Sequence, residues 1–424
     1  MESKGGKDGL IRDSFILFAA SSLVNLSNFV FHSFASRMLG PDEYGVLVTL
    51  LAFIVIVAMP SQALQMTIVK KTSIFRAHDR PGSIEKLFRM TSVWFIVIGL
   101  GCFLAFAAVG ILPGGLKNFF HIQDPALYYI LGVISVLMLV LPVVRGILQG
   151  LQNFVGLGIS LVIDAVTRLL ALYVLVKALS GGVRGAISTT LAGGFVSYVV
   201  GFFLIAYIFR YKEDKEEVIK KSDLFSYALP VFFSMLGFAF LSYIDVFMVK
   251  HFFNSHDAGL YSATSMIGKA FLYFPSAIAM TLFPKVSEGH ELNRGTKALL
   301  YKSLGLTAAI SFAGIIFCYF FPRIIIGIMF GEKFYAIDGV VKLFGAAIFP
   351  LVLFNVAMNY ALAVHRYAFI YFTFAAIIIY SALLWFFHND FYQVISMLFG
   401  VTSVLFILTM FSLRGEGKMV QNAV

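Results

Sequence analysis

Apolar residues run along this chain in blocks of about twenty, each closed by a short polar break. At about 1.5 Å of rise per residue, such a block coiled as a helix covers the roughly 30 Å hydrocarbon core of a bilayer. Twelve blocks are expected to be membrane-spanning helices. In the first half they lie at 11–36, 44–69, 88–112, 125–149, 155–178 and 184–209. In the second half they lie at 226–250, 257–284, 299–321, 336–362, 367–387 and 391–413. The largest polar stretch, from Arg210 to Asp223, falls at the midpoint and is too short to bury a core of its own. The expected organisation is all-α and polytopic: an N-lobe over 1–212 (spans 1–6), a linker over 213–223 and a C-lobe over 224–424 (spans 7–12).

The first block departs from plain hydrophobicity. Ser14, Ser21, Asn25, Asn28, His32 and Ser36 fall in one narrow sector of a helix, while Phe15, Leu23, Leu26, Val30 and Phe34 cover much of the rest. A single Ser or Asn in a span commonly bonds a neighbouring helix. Six on one stripe point to the wall of a polar cavity inside the membrane. Gly40-Pro41 then breaks the helix, since Pro disfavours helix at the residue before it, and a second apolar block follows at once.

Composition agrees with the pattern. The chain is 60% hydrophobic and 13% charged, with a mean hydropathy of +0.90. Its 47 Phe exceed what a water-soluble core of this length would hide. Residues 1–8 are too polar for a signal peptide, so the first span is expected to remain in the mature chain. Cys102 and Cys318 sit in apolar runs with no metal-ligand spacing and are expected to be buried thiols. The net charge of +10 is explained by topology rather than by nucleic acid. With the N-terminus inside, 22 of the 32 Lys and Arg lie at the cytoplasmic ends and 8 at the other, with Arg168 and Lys269 in mid-span. The positive-inside rule therefore places both termini in the cytoplasm of a multi-pass inner-membrane protein.

An internal repeat is visible. Residues 60–70 close the second block as PSQALQMTIVK and residues 275–285 close the eighth as PSAIAMTLFPK. Two weaker matches occur in the same order, 42–45 with 256–259 and 151–154 with 364–367. Two six-helix bundles related by a pseudo-twofold along the membrane normal are expected, with the substrate path between them.

Ionisable groups inside a membrane are costly and usually face a cavity or a partner. Asp164 and Arg168 are four apart in the fifth span and are placed to pair or to face substrate. Asp245 in the seventh span and Lys269 in the eighth lean towards each other and are ion-pair or coupling candidates, with Lys269 also a candidate for meeting an anion. Arg145 lies near a helix end, within reach of an anionic headgroup. Asn355 and Asn359, four apart in the tenth span, are a polar cavity face or interhelical glue. Candidate substrate-binding residues are thus Asn25, Asn28, His32, Arg145, Arg168, Lys269, Asn355 and Asn359, with Asp164 and Asp245 as coupling or ion-pair candidates. No metal site or catalytic residue is expected.

Three stretches resemble a known family. Residues 37–45 (RMLGPDEYG), Asp245 followed by 259–263 (GLYSA), and 329–335 (MFGEKFY) are similar to the signatures of polysaccharide-biosynthesis, O-antigen-type flippases. These share a superfamily with the MATE drug exporters and the lipid II flippases. The resemblance implies two six-helix bundles around a central cavity, moving a polyprenyl-pyrophosphate-linked glycan outward. Twelve spans leave out the extra terminal pair of lipid II flippases, which argues against that cargo. The alternative is a MATE-like cation-coupled exporter of drugs or small molecules, which would want carboxylates in its cavity; only Asp164 and Asp245 are deep, each with a basic neighbour. A membrane glycan polymerase or ligase is disfavoured by the short outer loops, and no nucleotide-binding motif is present. Expected partners are the lipid-linked glycan, membrane lipids and glycan polymerase or ligase machinery. No cofactor is expected, and coupling to H+ or Na+ stays open.

Overall fold

The computed structural model describes residues 8–210, 221–291 and 296–414. The two terminal tails, expected to be cytoplasmic, lie outside the described residues, as does most of the linker expected at 213–223, whose last residues open a helix. The described residues are helical throughout, with no strand. In chain order the helices are α1 (Asp8–Ala77), α2 (Pro81–Ile111), α3 (Leu116–Phe119), α4 (Pro125–Gly150), α5 (Phe154–Leu172), α6 (Gly182–Ile205) and α7 (Lys221–Phe252). There follow α8 (Ser255–Glu291), α9 (Lys297–Phe320), α10 (Pro322–Met329), α11 (Asp338–Ala363), α12 (Ala368–Phe386) and α13 (Phe391–Leu413).

Each expected span falls largely in one of these helices, the fifth running on into a π-helical stretch at Tyr173–Ala178 and the sixth into a 3-10 turn at Ala206–Arg210. Ten stretches among the described residues are long and apolar enough to cross a membrane. The first, Ile16–Ala77, is 62 residues long and contains both the first and second expected spans, on either side of a non-helical break at Gly40 (φ 73°, ψ 176°). The positive φ there is one that L side chains resist, which is why glycine occupies the break. The eighth expected span lies in α8, which also carries the repeat stretch 275–285.

The short breaks are built from local rules. Pro stands at the first turn of α2, α4 and α10, where its missing N–H is no loss. Asp124, Asn153 and Asp390 cap α4, α5 and α13 by accepting from the backbone N–H of Ala126, Gly156 and Gln393. Asp124 is also gripped by Arg184 at 2.5 and 2.9 Å. That guanidinium holds the Asp124 carboxyl below the ordinary aspartate value.

The chain divides into two compact units. Unit 1 comprises residues 1–39 and 50–232. Its core joins Ile68 and Phe75 of α1 to Leu87 and Phe95 of α2, Leu139, Val143 and Ile147 of α4, and Ile205 of α6. Unit 2 comprises residues 40–49 and 233–424. Its central element is α11, which packs against α8, α9 and α13 and buries Phe344, Ile348, Leu351, Phe354 and Tyr360. Large apolar side chains remain exposed on the outer helices, among them Val97, Leu104, Leu170, Phe203, Phe312, Tyr371 and Phe411. This is the surface of a protein whose solvent is lipid: a multi-pass membrane protein.

Candidate functional site

In unit 1 the polar groups deep in the spans gather around Arg145. Its Nη2 donates to Asp164 Oδ2 at 2.8 Å and to Ser197 Oγ at 2.9 Å, and its Nε to Ser160 Oγ at 3.3 Å. Ser160 and Ser197 are themselves 2.8 Å apart, and Ser197 Oγ also donates to the Ser160 carbonyl. Both serines are fully buried. The knot therefore ties α4, α5 and α6 together through one guanidinium. The side chains of Arg145 and Asp164 keep 17% and 18% exposure, so the pair is shielded without being sealed. Asp164 Oδ1 accepts no hydrogen bond among the described residues.

Arg168 lies one turn beyond Asp164. Its Nη1 donates to Asn28 Oδ1 at 3.4 Å, and its guanidinium carbon stands 4.8 Å from the centroid of the Phe31 ring, a cation–π contact. Gly193 of α6 makes room for these groups: a Cβ there would stand 2.4 Å from Arg168 Cγ and 2.7 Å from Asp164 Oδ1. The three ionisable groups of this region comprise two guanidinia and one carboxylate. Unit 1 thus carries an excess positive charge within its spans.

Unit 2 holds the second charged region. Asp245 of α7 is buried, and its Oδ2 accepts from Tyr261 Oη at 3.0 Å and Ser265 Oγ at 3.3 Å, both on α8. Lys269 is the next residue on that stripe, since 261, 265 and 269 are each four apart. Its ammonium does not reach Asp245 within 4.0 Å; it stands instead 3.9 Å over the ring of Tyr243. Tyr243 and Asp245 are two residues apart and project from different sides of α7, which places Lys269 beside the ring rather than on the carboxylate. Lys269 is only 4% exposed, and its Nζ has no hydrogen-bond partner among the described residues. Asp245 Oδ1 is likewise buried without a donor.

The remaining candidates are placed as follows. The polar stripe of the first span runs from exposed at Ser21 and Asn25, through half-buried at Asn28, to buried at His32 and Ser36; the side chain of Ser14 lies outside the described ones. Asn355 and Asn359 are half-buried on α11, where Asn359 Nδ2 donates to the carbonyl and to the side-chain oxygen of Asn355 at 2.8 and 2.9 Å. Within unit 1 the structure brings Asn28 to Arg168 and Arg145 to Asp164. Sequence reasoning missed Ser160, Ser197, Phe31, Gly193, Tyr243, Tyr261 and Ser265. Of these, only Tyr261 stood inside a quoted motif, and there as a family marker rather than as a carboxylate's donor.

The pattern of the polysaccharide biosynthesis protein family matches residues 10–290. An uncharacterized membrane protein of Methanocaldococcus jannaschii is 22% identical over 328 residues, covering 74% of this chain and 75% of that protein. A proposed O-antigen transporter of Shigella flexneri is 25% identical over 315 residues, covering 71% and 72%. Among solved structures, an inward-facing multidrug resistance MATE family transporter of the MOP superfamily superposes with a TM-score of 0.73 at 13% identity, covering 92% of this chain and 93% of that one. An outward-facing MATE family transporter gives 0.66 at 14% identity, covering 97% and 98%. The fold is MATE-like.

Proposed function

The chain belongs to the polysaccharide biosynthesis protein family, and from that premise we propose that it flips a polyprenyl-pyrophosphate-linked oligosaccharide across the cytoplasmic membrane by alternating access, for surface polysaccharide synthesis. The observation that carries this reading is the positive charge kept inside the spans. Lys269 is buried with no hydrogen bond among the described residues, and the cluster of Arg145, Asp164 and Arg168 in unit 1 sets two guanidinia against one carboxylate. An ammonium in hydrocarbon is expensive, and an anion passing close by offsets that cost. A pyrophosphate supplies the anion, and hydroxyl and amide side chains such as Asn25, Asn28, Asn355 and Asn359 suit sugars. The likeness to a proposed O-antigen transporter points to the same cargo class. In this reading both termini face the cytoplasm, by the positive-inside asymmetry of the sequence, and the partners are the lipid-linked glycan, membrane lipids and the polymerase or ligase that receives it.

One observation favours a second reading, a MATE-like cation-coupled exporter. Asp245 is a buried carboxylate with an oxygen that accepts no hydrogen bond, as a protonation or cation site would need. In the first reading the same residue serves coupling to H+ or Na+, with no bound cofactor. The two readings separate in proteoliposomes. Purified protein should move a fluorescent polyprenyl-pyrophosphate oligosaccharide from one leaflet to the other, measured by its accessibility to a glycosidase added outside. Efflux of cationic dyes without any movement of the glycan-lipid would overturn the first reading.

A further inference from the structure

The helix α10 is too short to cross a membrane, yet it is apolar on two opposite sides. Before it, α9 runs from Lys297 to Phe320, 24 residues, which is about 36 Å of rise and enough to cross the roughly 30 Å core by itself. The single residue Phe321, with φ −123° and ψ 40°, then turns the chain out of α9. α10 follows with 8 residues, PRIIIGIM, or about 12 Å of rise, so it makes no second crossing. The chain returns through the core only with α11, from Asp338.

At about 100° per residue, the side chains of this segment fall into four sectors. Pro322, Ile326 and Met329 are buried against the protein. On the opposite side Ile324 and Ile328 are 53% and 59% exposed, and Phe321 is exposed beside them. Of the two edges between these sides, one holds Ile325, half-buried, and the other holds Arg323 and Gly327. The Arg323 side chain is exposed, and its Nε donates to Asp338 Oδ2 at 3.2 Å. Gly327 lies against the Tyr335 hydroxyl, since a Cβ there would stand 2.8 Å from Tyr335 Oη. The open apolar side is continuous with the lipid-facing surface of α9: the rings of Phe317 and Phe321, both exposed, are 5.3 Å apart.

We propose that α10 lies in the plane of the membrane at the headgroup boundary, with Ile324 and Ile328 among the acyl chains of one leaflet and Arg323 at the level of the phosphates. The occupant of its open side is lipid. A helix lying flat beside a protein needs a protein side and a lipid side, and between them a wet edge and an edge towards the hydrocarbon. Arg323 and Gly327 supply the wet edge and Ile325 the other, in the order that this placement requires. An upright helix would have no reason to gather its polar groups along one edge. In water, Phe321, Ile324 and Ile328 would extend an apolar patch that soluble surfaces avoid. Tyr319 and Lys342, whose Nζ stands 6.0 Å from the Tyr319 ring, mark the same level, as aromatic and basic residues do at a membrane boundary. Because Asp338 pairs with Arg323, apolar burial rather than headgroup charge holds the helix in place. By the positive-inside reading this is the outer leaflet; the depth of the helix does not depend on that reading.

The test uses the full chain with Cys102→Ser and Cys318→Ser, carrying one nitroxide-labelled substitution at a time: Arg323→Cys, Ile324→Cys or Ile328→Cys. The protein is placed in phosphatidylethanolamine–phosphatidylglycerol vesicles. Collisions with oxygen, which concentrates in hydrocarbon, are compared with collisions with a water-soluble nickel chelate. Labels at 324 and 328 should favour oxygen and read a depth of about 5–10 Å below the headgroups, while the label at 323 should favour nickel. Nickel favoured at all three positions would place the helix in water. Oxygen favoured at all three would sink it into the core, and protection from both reagents at 324 and 328 would put protein, such as a second copy, on this side. Each of those outcomes overturns the proposal. A second arm needs no substitution. The unaltered protein is irradiated in the same vesicles with a phosphatidylcholine that carries a diazirine on one acyl chain, and its peptides are sequenced. Adducts are expected on Phe321, Ile324 or Ile328 as well as on the exposed residues of α9. Adducts on α9 with none on 321–328 would overturn the proposal equally.

Discussion

Arg145 of α4 and Asp164 of α5, nineteen residues apart in the chain, are joined at 2.8 Å inside the membrane-spanning part of unit 1. The same guanidinium takes two buried serine hydroxyls, so its removal strands a carboxylate and breaks a three-helix tie. Arg145→Met and Asp164→Leu are each expected to cost about 2–3 kcal/mol, somewhat below the value for a fully sealed pair because both side chains keep some exposure. The double variant should cost less than the sum, since neither charge is then left alone. Thermal unfolding of the four proteins in detergent completes the cycle. Strict additivity would mean that the pair contributes nothing as a pair.

Gly193 of α6 is expected to be intolerant in a way that reports on Arg168. An alanine Cβ there collides with Arg168 Cγ and with both the carbonyl oxygen and Oδ1 of Asp164. The Arg168 stem and the Asp164 carboxylate can swing aside, but the Asp164 carbonyl oxygen, 2.7 Å from the added Cβ, is backbone, so α6 must shift away from α5 as the guanidinium leaves Asn28 and Phe31. Gly193→Ala should therefore lower both stability and export. Gly400→Ala on α13, where a Cβ meets nothing within 4 Å, is the control. It should leave both unchanged or gain up to about 1 kcal/mol from helix propensity. Normal export by Gly193→Ala would remove Arg168 from the working site.

The Asp124–Arg184 pair, outside the spans, sets an acid limit. Its carboxyl titrates below the unfolded value because Arg184 bonds it. A depressed folded pKa stabilises above the unfolded pKa of about 3.9, and that contribution is lost as pH falls through the folded value. Asp124→Asn keeps a helix-capping oxygen but has no charge to lose. Its melting temperature should be lower than that of the parent at pH 7, and the gap should close as the pH is taken below about 4. A gap that stays constant with pH would place the stabilisation in the cap and not in the charge pair.

What the sequence disclosed and what it hid divide along the range of the interaction. Spans were legible because twenty apolar residues in a row have one use, and all twelve expected blocks fall largely in helices. The break at Gly40-Pro41 was legible from two residues whose backbone limits are intrinsic. The partner of Asp164 was not. Spacing within one helix offered Arg168 at i+4, whereas the salt bridge at 2.8 Å comes from Arg145 on a neighbouring helix, and no local pattern encodes which helix that is. Asp245 tells the same story. Its depth pointed to Lys269, but Tyr261 and Ser265, two turns and one turn earlier on α8, hold the near oxygen instead. The glycines at 45 and 259 stood in plain view inside two motifs, yet their contact is a tertiary fact that only the fold supplies.

Lys269 permits the sharpest test of charge. Its ammonium is buried, rests 3.9 Å above the Tyr243 ring and lies beyond 4.0 Å from Asp245. A cation–π contact is worth about 2 kcal/mol when desolvated, which falls short of the several kcal/mol needed to bury an ammonium. Something further must favour keeping it: either the field of Asp245 or an anion that visits. If Lys269 serves only to neutralise Asp245, then Lys269→Gln with Asp245→Asn should restore both folding and export, because removing both charges leaves neither stranded. If Lys269 meets cargo, Lys269→Gln alone should abolish export in a protein that still reaches the membrane and melts cooperatively, and adding Asp245→Asn should not bring export back. Export by the variants would be read as lipid-linked glycan reaching the outer leaflet, and folding by melting in detergent. Tyr243→Leu gives an independent check, since it removes the ring and leaves the charge: a cargo-binding Lys269 should tolerate it with a loss of no more than about tenfold. Full export by Lys269→Gln would end the case for a cationic site in unit 2.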